Sequence, residues 1–293
     1  MAQGRRQRRR RARDQPRADR RLCGAQGGQR PRTNRESKRV LKKLSGEFTQ
    51  RSDSEADNDA RLYDLARARH REGGFGSHWN HHSTVFLKRQ VLSRLLYEDQ
   101  LYRRIVNVPG VICEFGVHWG ATMTTLCNLR GIHEPYNHSR TIVGFDTFSG
   151  FAGVHDADGG FSSDGDYSTS TGYEAELAEI LALQESFSPI PQIRKFELVK
   201  GDVVETLPKW LDDNSHAVVA MAIFDMDIYQ PTRAALEMIL PRLVKGSLLV
   251  FDEMVCKHFP GETQAVMEVL GLNNLKLERS PHQPYCAFAE FGA

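Results

Sequence analysis

Paired cysteines are missing from this 293-residue sequence. Its five cysteines are odd in number and include no Cys-x-x-Cys spacing. Such a set argues against a zinc site and against a disulfide scaffold, and it fits the reducing environment of the cytoplasm. We therefore expect a cytoplasmic protein whose cysteines remain thiols.

Long apolar runs and dinucleotide-binding glycines are also absent. No uncharged apolar stretch approaches the roughly 20 residues that a membrane helix needs. The N-terminus has arginines but lacks the apolar segment of a secretory signal. The pattern G-x-G-x-x-G, which places a pyrophosphate at a helix N-terminus, does not occur. These absences argue against a membrane partner, a secretory signal and a dinucleotide site.

The charge of the chain is unevenly distributed. Residues 1–45 contain seventeen Arg and Lys against three acidic residues, whereas the remainder has 22 basic and 34 acidic residues. With so little apolar surface to bury, residues 1–45 are predicted to form a disordered basic tail. The run Arg8–Arg11 leaves nucleic-acid binding open as an alternative. We prefer a solvated tail and expect no nucleic-acid partner, because the globular part is acidic.

The rest of the chain predicts a helical region followed by an α/β domain. Apolar positions between residues 83 and 106 recur near helical spacing, and Pro109-Gly110 ends that stretch, so residues 46–110 are assigned to an N-terminal helical region. Short apolar runs then alternate with helical segments. The predicted strands are 111–116, 141–145, 196–199, 217–224 and 247–251, the predicted helices are 121–129, 174–185 and 231–243, and a final antiparallel strand pair is 275–278 and 285–290. This alternation predicts that residues 111–293 form a doubly wound, mostly parallel sheet covered on both faces.

Acidic residues and glycines follow the first three predicted strands, at the edge where such sheets bind ligands. The candidate cofactor-binding residues are Glu114, Gly116, Val117 and Gly120 after the first strand, Asp146, Thr147 and Ser149 after the second, and Gly201 and Asp202 after the third. Glu114 suits a positively charged amino-acid group, Asp146 suits two ribose hydroxyls, and Asp202 is placed to reach an adenine amino group. Together these features predict adenosylmethionine, and the alternative is a set of turn-forming residues.

Four more acidic residues follow the fourth and fifth predicted strands. Asp225 and Asp227 follow one strand, and Asp252 and Glu253 follow the other. Carboxylates this close raise one another's pKa unless a cation compensates, and Mg²⁺ is the usual hard cation for oxygen ligands. The alternative is that these are solvated acids that cap the following helices, as Asp227 could do.

These segments resemble the macrocin O-methyltransferase family, which includes mycinamicin and novobiocin sugar O-methyltransferases. The resemblance covers about residues 83–290, and its most specific part is Phe224–Thr232, which matches the family's L-D-x-D-x-Y-x-x-T. It implies a class I, Rossmann-like methyltransferase that uses S-adenosylmethionine.

The resemblance also implies roles for the acidic residues. Asp225, Asp252 and Glu253 would bind Mg²⁺, and Asp227 would be the general base. The family's usual pair is Asp-Asp, from which Glu253 departs. The implied acceptor is a small sugar-containing molecule, often a deoxysugar on an antibiotic or a nucleotide, and we expect a homo-oligomer. The polar stretch 156–172 is predicted to be a mobile lid or a disordered insertion.

Two other functions compete with this prediction. The arginine tail would suit an RNA-binding protein or an RNA methyltransferase. The acidic cluster would also suit a metal-dependent hydrolase that works without adenosylmethionine.

Overall fold

The computed structural model describes residues 42–44, 47–49, 52–71 and 74–292. The prediction of a disordered tail over residues 1–45 therefore lies outside the described residues, except for 42–44. Those three residues form strand β1 (Lys42–Leu44), which pairs antiparallel with β2 (Glu47–Thr49). Among the described residues, no helix has both the length and the apolar character needed to cross a membrane.

Within the described residues, three α-helices precede the main sheet: α1 (Asp53–His70), the short α2 (Trp79–His82) and α3 (Arg89–Ile105). Helix α1 lies inside the predicted N-terminal helical region 46–110, but its bounds were not predicted, because its sequence has few apolar positions. Its start does carry a local marker: Ser52 and Glu55 form a capping box, in which each side chain accepts a hydrogen bond from the other residue's N–H. Helix α3 buries Tyr97, Tyr102 and Ile105, so it is the one that packs firmly against the sheet.

The main sheet has seven strands in the order β5-β4-β3-β6-β7-β9-β8. They are β3 (Val111–Phe115), β4 (Ile142–Asp146), β5 (Phe196–Lys200), β6 (Val219–Phe224), β7 (Leu243–Phe251), β8 (Glu278–Ser280) and β9 (Gln283–Glu290). The first five strands of that order are parallel, and β9 runs antiparallel to both β7 and β8. The predicted mostly parallel sheet with an antiparallel C-terminal strand pair is confirmed.

Helices cover both faces of the sheet and create two hydrophobic cores. They are α4 (Ala121–His133), α5 (Tyr173–Ser186), α6 (Val203–Asp213), α7 (Tyr229–Ile239) and α8 (Pro260–Val269). Because side chains alternate along a strand, Ile112 enters one core and Cys113 the other. On the α6–α8 side, the rings of four strand-end residues stack from strand to strand, with centroids 5.1 to 5.5 Å apart: Phe145, Phe115, Phe224 and Phe251.

Three boundaries differ clearly from the prediction: β8 shares only Glu278 with the predicted strand 275–278, and the end of α7 and the start of β7 are displaced. The helix predicted over 231–243 ends at Ile239, and a 3-10 turn at Leu240–Arg242 leads directly into β7. Pro241 explains the stop, since a proline has no N–H to donate to the carbonyl four residues earlier. Strand β7 is consequently longer than predicted. Helices α6 and α8 were missed. Pro208 lies inside α6 and interrupts the sequence pattern of a helix, whereas Pro260 is the first residue of α8, where a proline is compatible with a helix.

Candidate active site

A cavity of about 380 Å³ opens at the carboxyl ends of β3 and β6. The strand order reverses between these two strands, which is where open α/β sheets bind ligands. Eleven of the thirteen predicted site residues line it: Glu114, Gly116, Val117, Asp146, Thr147, Gly201, Asp202, Asp225, Asp227, Asp252 and Glu253. The tertiary fold thus brings together residues from five strand ends.

Gly120 and Ser149 are the two predicted residues that do not line this cavity. Gly120 is the N-cap of α4 in a left-handed conformation, and a Cβ there would lie 2.4 Å from Leu177 Cδ1. The lack of a side chain therefore permits the left-handed turn before α4 and the close packing of Leu177 of α5. Ser149 is exposed, and its N–H donates to Thr147 Oγ1 at 3.1 Å.

Glu114 and Gly116 form the floor of the cavity. Gly116 has φ 97°, and a Cβ on it would lie 1.9 Å from the Asp225 carbonyl oxygen, so only glycine fits. Glu114 is buried, and its Oε2 has no hydrogen-bond partner within the described part of the chain. Burial, followed by the charges of Asp225 and Glu98, raises the pKa of Glu114 well above its usual value. A cationic ligand group would relieve that cost.

Asp146 and Asp202 stand on the other side of the cavity. Asp146 accepts backbone hydrogen bonds from His118 N at 2.7 Å and Phe148 N at 2.6 Å, one on each carboxylate oxygen. Asp202 caps α6 by accepting from Val204 N at 2.9 Å. Asp202 thus caps a helix and also lines the cavity, and its contact with the adenine amino group stays a prediction.

A third part of the wall comes from the loop between β4 and α5, which the sequence interpretation treated only as a lid or an insertion. Phe151 and Tyr167 line the cavity, and their ring centroids are 5.3 Å apart. Within the predicted stretch 156–172, Asp156–Asp158 form a 3-10 turn, and Asp158 and Asp166 are buried. Both acids accept backbone N–H groups inside the loop, from His155 and Ser163. Asp158 also accepts from Tyr229 N of α7, which attaches the loop to the body of the domain.

The acidic side of the cavity has its own cation, Arg94 of α3. Its guanidinium forms ion pairs with Asp252, with Asp225 at 3.5 Å and with Glu98 at 3.0 Å. Burial lowers the pKa of Arg94, but the charges of Asp252 and Asp225 raise it by more than burial lowers it. The guanidinium therefore stays charged. Nothing in the spacing of the sequence points to Arg94: the acidic cluster predicts a compensating cation, and Mg²⁺ is the candidate to which it leads.

Within the described part of the chain Asp227 forms no ion pair with Arg94, and α7 does not use it as a cap. Helix α7 has Ile228 as N-cap, and Asp158 accepts the hydrogen bond from Tyr229 N, so the helix-capping alternative is wrong for Asp227. Its side chain is nearly buried beside the cavity. Burial and the charges of Asp225 and Glu253 raise the pKa of Asp227 well above the usual aspartate value.

The three carboxylates Asp225, Asp252 and Glu253 have the chemistry that Mg²⁺ prefers, and they border one cavity. Two of them are bonded to Arg94. Among the described residues, no group of three or more His, Cys, Asp or Glu side chains is arranged to hold a metal ion. As arranged here, these side chains do not fit a magnesium site, and their ligand roles stay a prediction.

A comparison with protein-family models identifies the family of this chain. Residues 29–269 match the model of the macrocin O-methyltransferase (TylF) family. The chain belongs to this family. The match begins well before residue 83, where the motif resemblance starts. Members of the family are adenosylmethionine-dependent O-methyltransferases, so this enzyme is one too. Family membership excludes the alternative of a hydrolase that works without adenosylmethionine.

Solved structures support the same family. The crystal structure of CalS11, a calicheamicin methyltransferase, is 40% identical, covers 83% of this chain and 95% of its own, and has a TM-score of 0.79. An apo structure of CalS11, described as a TDP-rhamnose 3'-O-methyltransferase of calicheamicin biosynthesis, is 37% identical, covers 83% and 96%, and has a TM-score of 0.73. No curated protein sequence matches the chain.

Proposed function

We propose that this O-methyltransferase of the macrocin family methylates a hydroxyl of a deoxysugar, carried either on a nucleotide or on a natural product. The observation that carries the proposal is the 37% identity, over 83% of the chain, to a protein described as a TDP-rhamnose 3'-O-methyltransferase. The cavity supports it chemically. Its acidic residues would attract the cationic cofactor, and their oxygens can accept hydrogen bonds from sugar hydroxyls.

The cofactor would lie along the ends of β3, β4 and β5. Glu114 would face the ammonium and sulfonium groups, since it is a buried carboxyl with an unused oxygen. Asp146 would accept the ribose hydroxyls with the lone pairs that its two backbone partners leave available. Asp202 would reach the adenine amino group. Gly116, Val117, Thr147 and Gly201 would form the surrounding wall.

Asp227 would be the general base. A carboxylate whose pKa is raised by burial is a stronger proton acceptor once it is ionised. It would remove the proton of the acceptor hydroxyl while that oxygen attacks the methyl carbon. The new C–O bond forms as the C–S bond breaks, and the bonding pair stays on sulfur as adenosylhomocysteine leaves. Holding oxygen, carbon and sulfur in line accounts for much of the rate in such a transfer.

The magnesium ion implied by the resemblance is a separate hypothesis, with Asp225, Asp252 and Glu253 as its ligands. No step of the transfer described above depends on this ion. In the structure, Arg94 bonds to two of the three residues. The expected homo-oligomer is likewise a proposal, and light scattering of the purified protein measures it.

One set of assays tests both the class of acceptor and the role of Asp227 as general base. Purified enzyme is incubated with adenosylmethionine and TDP-rhamnose, and mass spectrometry follows adenosylhomocysteine and the methylated sugar. We expect Asp227→Asn to lower turnover by about 10²–10⁴-fold while cofactor affinity stays within about twofold. Glu237→Gln, on the exposed side of α7, is the matched control. Activity on other hydroxyl compounds but on no sugar nucleotide or sugar-bearing product would refute the acceptor class, and full turnover of Asp227→Asn would refute the base.

A further inference from the structure

Helix α7, which begins two residues after Asp227, has no capping side chain in its own sequence. Its N-cap residue is Ile228, which makes no side-chain hydrogen bond to the helix. The first N–H groups of a helix have no partners inside the helix and need one from elsewhere. Asp158 supplies it: its Oδ1 accepts from Tyr229 N at 2.6 Å, although it lies 71 residues earlier in the chain.

Asp158 is itself rigidly held. It is completely buried, and its Oδ2 accepts from His155 N at 2.7 Å. Helix α8 closes over it at Gly261, where a Cβ would lie 1.9 Å from Asp158 Oδ1 and 2.6 Å from Tyr229 N. The His155 ring also packs on the Tyr229 ring, with centroids 5.1 Å apart. The contact between Asp158 and α7 is therefore a junction of three segments: the loop between β4 and α5, the start of α7 and the start of α8.

The turn before α7 needs such support. Asp227 has φ 62°, in the left-handed region that is unfavourable for a residue with a side chain, and Ile228 N donates to Met226 O at 2.6 Å. Strained backbone of this kind persists only where the surroundings hold it. The junction at Asp158 binds the residue that directly follows this turn, and so it limits how far the turn can relax.

We propose that Asp158 is a positioning residue that keeps the Asp227 carboxylate directed into the cavity. The loop that carries Asp158 also lines the cavity through Phe151 and Tyr167. One contact therefore joins the wall of the cavity to the proposed base. The proposal rests on the role of Asp227 given above.

The experiment compares three variants of the full chain. Asp158→Ala removes both acceptors, whereas Asp158→Asn keeps one oxygen that can accept from Tyr229 N. Asp164→Ala is the matched control, since Asp164 lies in the same loop and accepts from Val154 N at 3.1 Å. We expect kcat to fall by about tenfold to a hundredfold in Asp158→Ala, in line with the effect of a misplacement near 1 Å. Asp158→Asn should recover most of that loss, and Asp164→Ala should stay within about twofold.

A double variant separates positioning from stability. If Asp158 acts through Asp227, then Asp158→Ala should change turnover little in an Asp227→Asn background. Full multiplication of the two losses would overturn the proposal. So would a lower melting temperature of Asp158→Ala with unchanged kcat per folded molecule. If Asp158→Ala does not fold, the same comparison is made with Asp158→Asn, for which a smaller but equally non-additive loss is expected. Full activity of Asp227→Asn alone would instead refute the base assignment.

Discussion

Gly116 and Asp225 approach so closely that a Cβ on residue 116 would lie 1.9 Å from the Asp225 carbonyl oxygen. The neighbouring Asp225 N donates to Phe115 O at 2.8 Å, so this contact sits where β3 and β6 end side by side. The missing side chain thus lets the cofactor strand and the proposed catalytic strand meet at the cavity floor.

Gly116→Ala should therefore damage both stability and cofactor binding. Forcing a methyl group into this contact should cost about 1–3 kcal/mol of unfolding free energy, and adenosylmethionine affinity should fall at least about tenfold, or 1.4 kcal/mol. Gly165→Ala is the control, because Gly165 has a similar φ of 84° but nothing within 4 Å of its would-be Cβ. Denaturant unfolding and calorimetry measure both effects. Equal losses in the two variants would show that the close approach is unimportant.

Asp146→Ala should weaken cofactor binding by roughly 1.5–3 kcal/mol, the usual range for a hydrogen bond to a charged group. Adenosylmethionine and adenosylhomocysteine should lose the same amount, since they share the ribose. Asp146→Asn, which keeps one acceptor oxygen, should lose less. Calorimetry with both ligands checks this, and a loss confined to one of them would contradict the ribose contact.

Cofactor binding should release protons in the pH range where Glu114 is protonated in the free enzyme. Burial raises the pKa of Glu114, so the free enzyme holds this carboxyl protonated above the roughly 4.3 of an unfolded glutamate. A cationic cofactor favours the ionised form, so affinity should rise with pH until Glu114 ionises unaided. Calorimetry in buffers of different ionisation enthalpy measures the protons released. Glu114→Gln should release fewer, and an equal release in both proteins would remove Glu114 from this linkage.

The same pKa shift has a consequence for stability. Because the folded pKa of Glu114 is raised, its contribution to stability is complete below the unfolded pKa and is lost as pH rises toward the folded value. The cofactor-free enzyme should therefore lose stability above about pH 4.3, and Glu114→Gln should lose less of it. Melting temperatures between pH 5 and 8 compare the two proteins.

Removing Arg94 should strengthen divalent-metal binding. Arg94 neutralises Asp225 and Asp252, so a metal ion must compete with it for the same carboxylates. We expect Arg94→Met to bind Mg²⁺ at least about tenfold more tightly, or 1.4 kcal/mol, and Arg94→Lys, which keeps the charge, to gain less. Arg103→Met removes an exposed ion pair on the same helix and is the control. Calorimetry with magnesium chloride measures this, and unchanged affinity in Arg94→Met would contradict the competition.

The amino-acid sequence by itself determined the sheet and most of the cavity lining. Buried parallel strands are continuous apolar runs, and a residue that follows such a run lies at the ligand-binding edge. Glu114, Asp146, Asp202 and Asp225 could be placed for this reason without any tertiary information. The helices were harder, because Pro208 lies inside α6 and α1 has few apolar positions.

Only the tertiary structure decided what these residues contact. Arg94 reaches Asp252 across 158 residues of chain, and Asp158 reaches Tyr229 across 71. Such pairs have no periodicity or spacing in the sequence, because they arise where separate elements pack on one another. The need for a cation beside the carboxylates follows from electrostatics alone, but its identity as an arginine follows from the packing of α3 against the ends of β6 and β7.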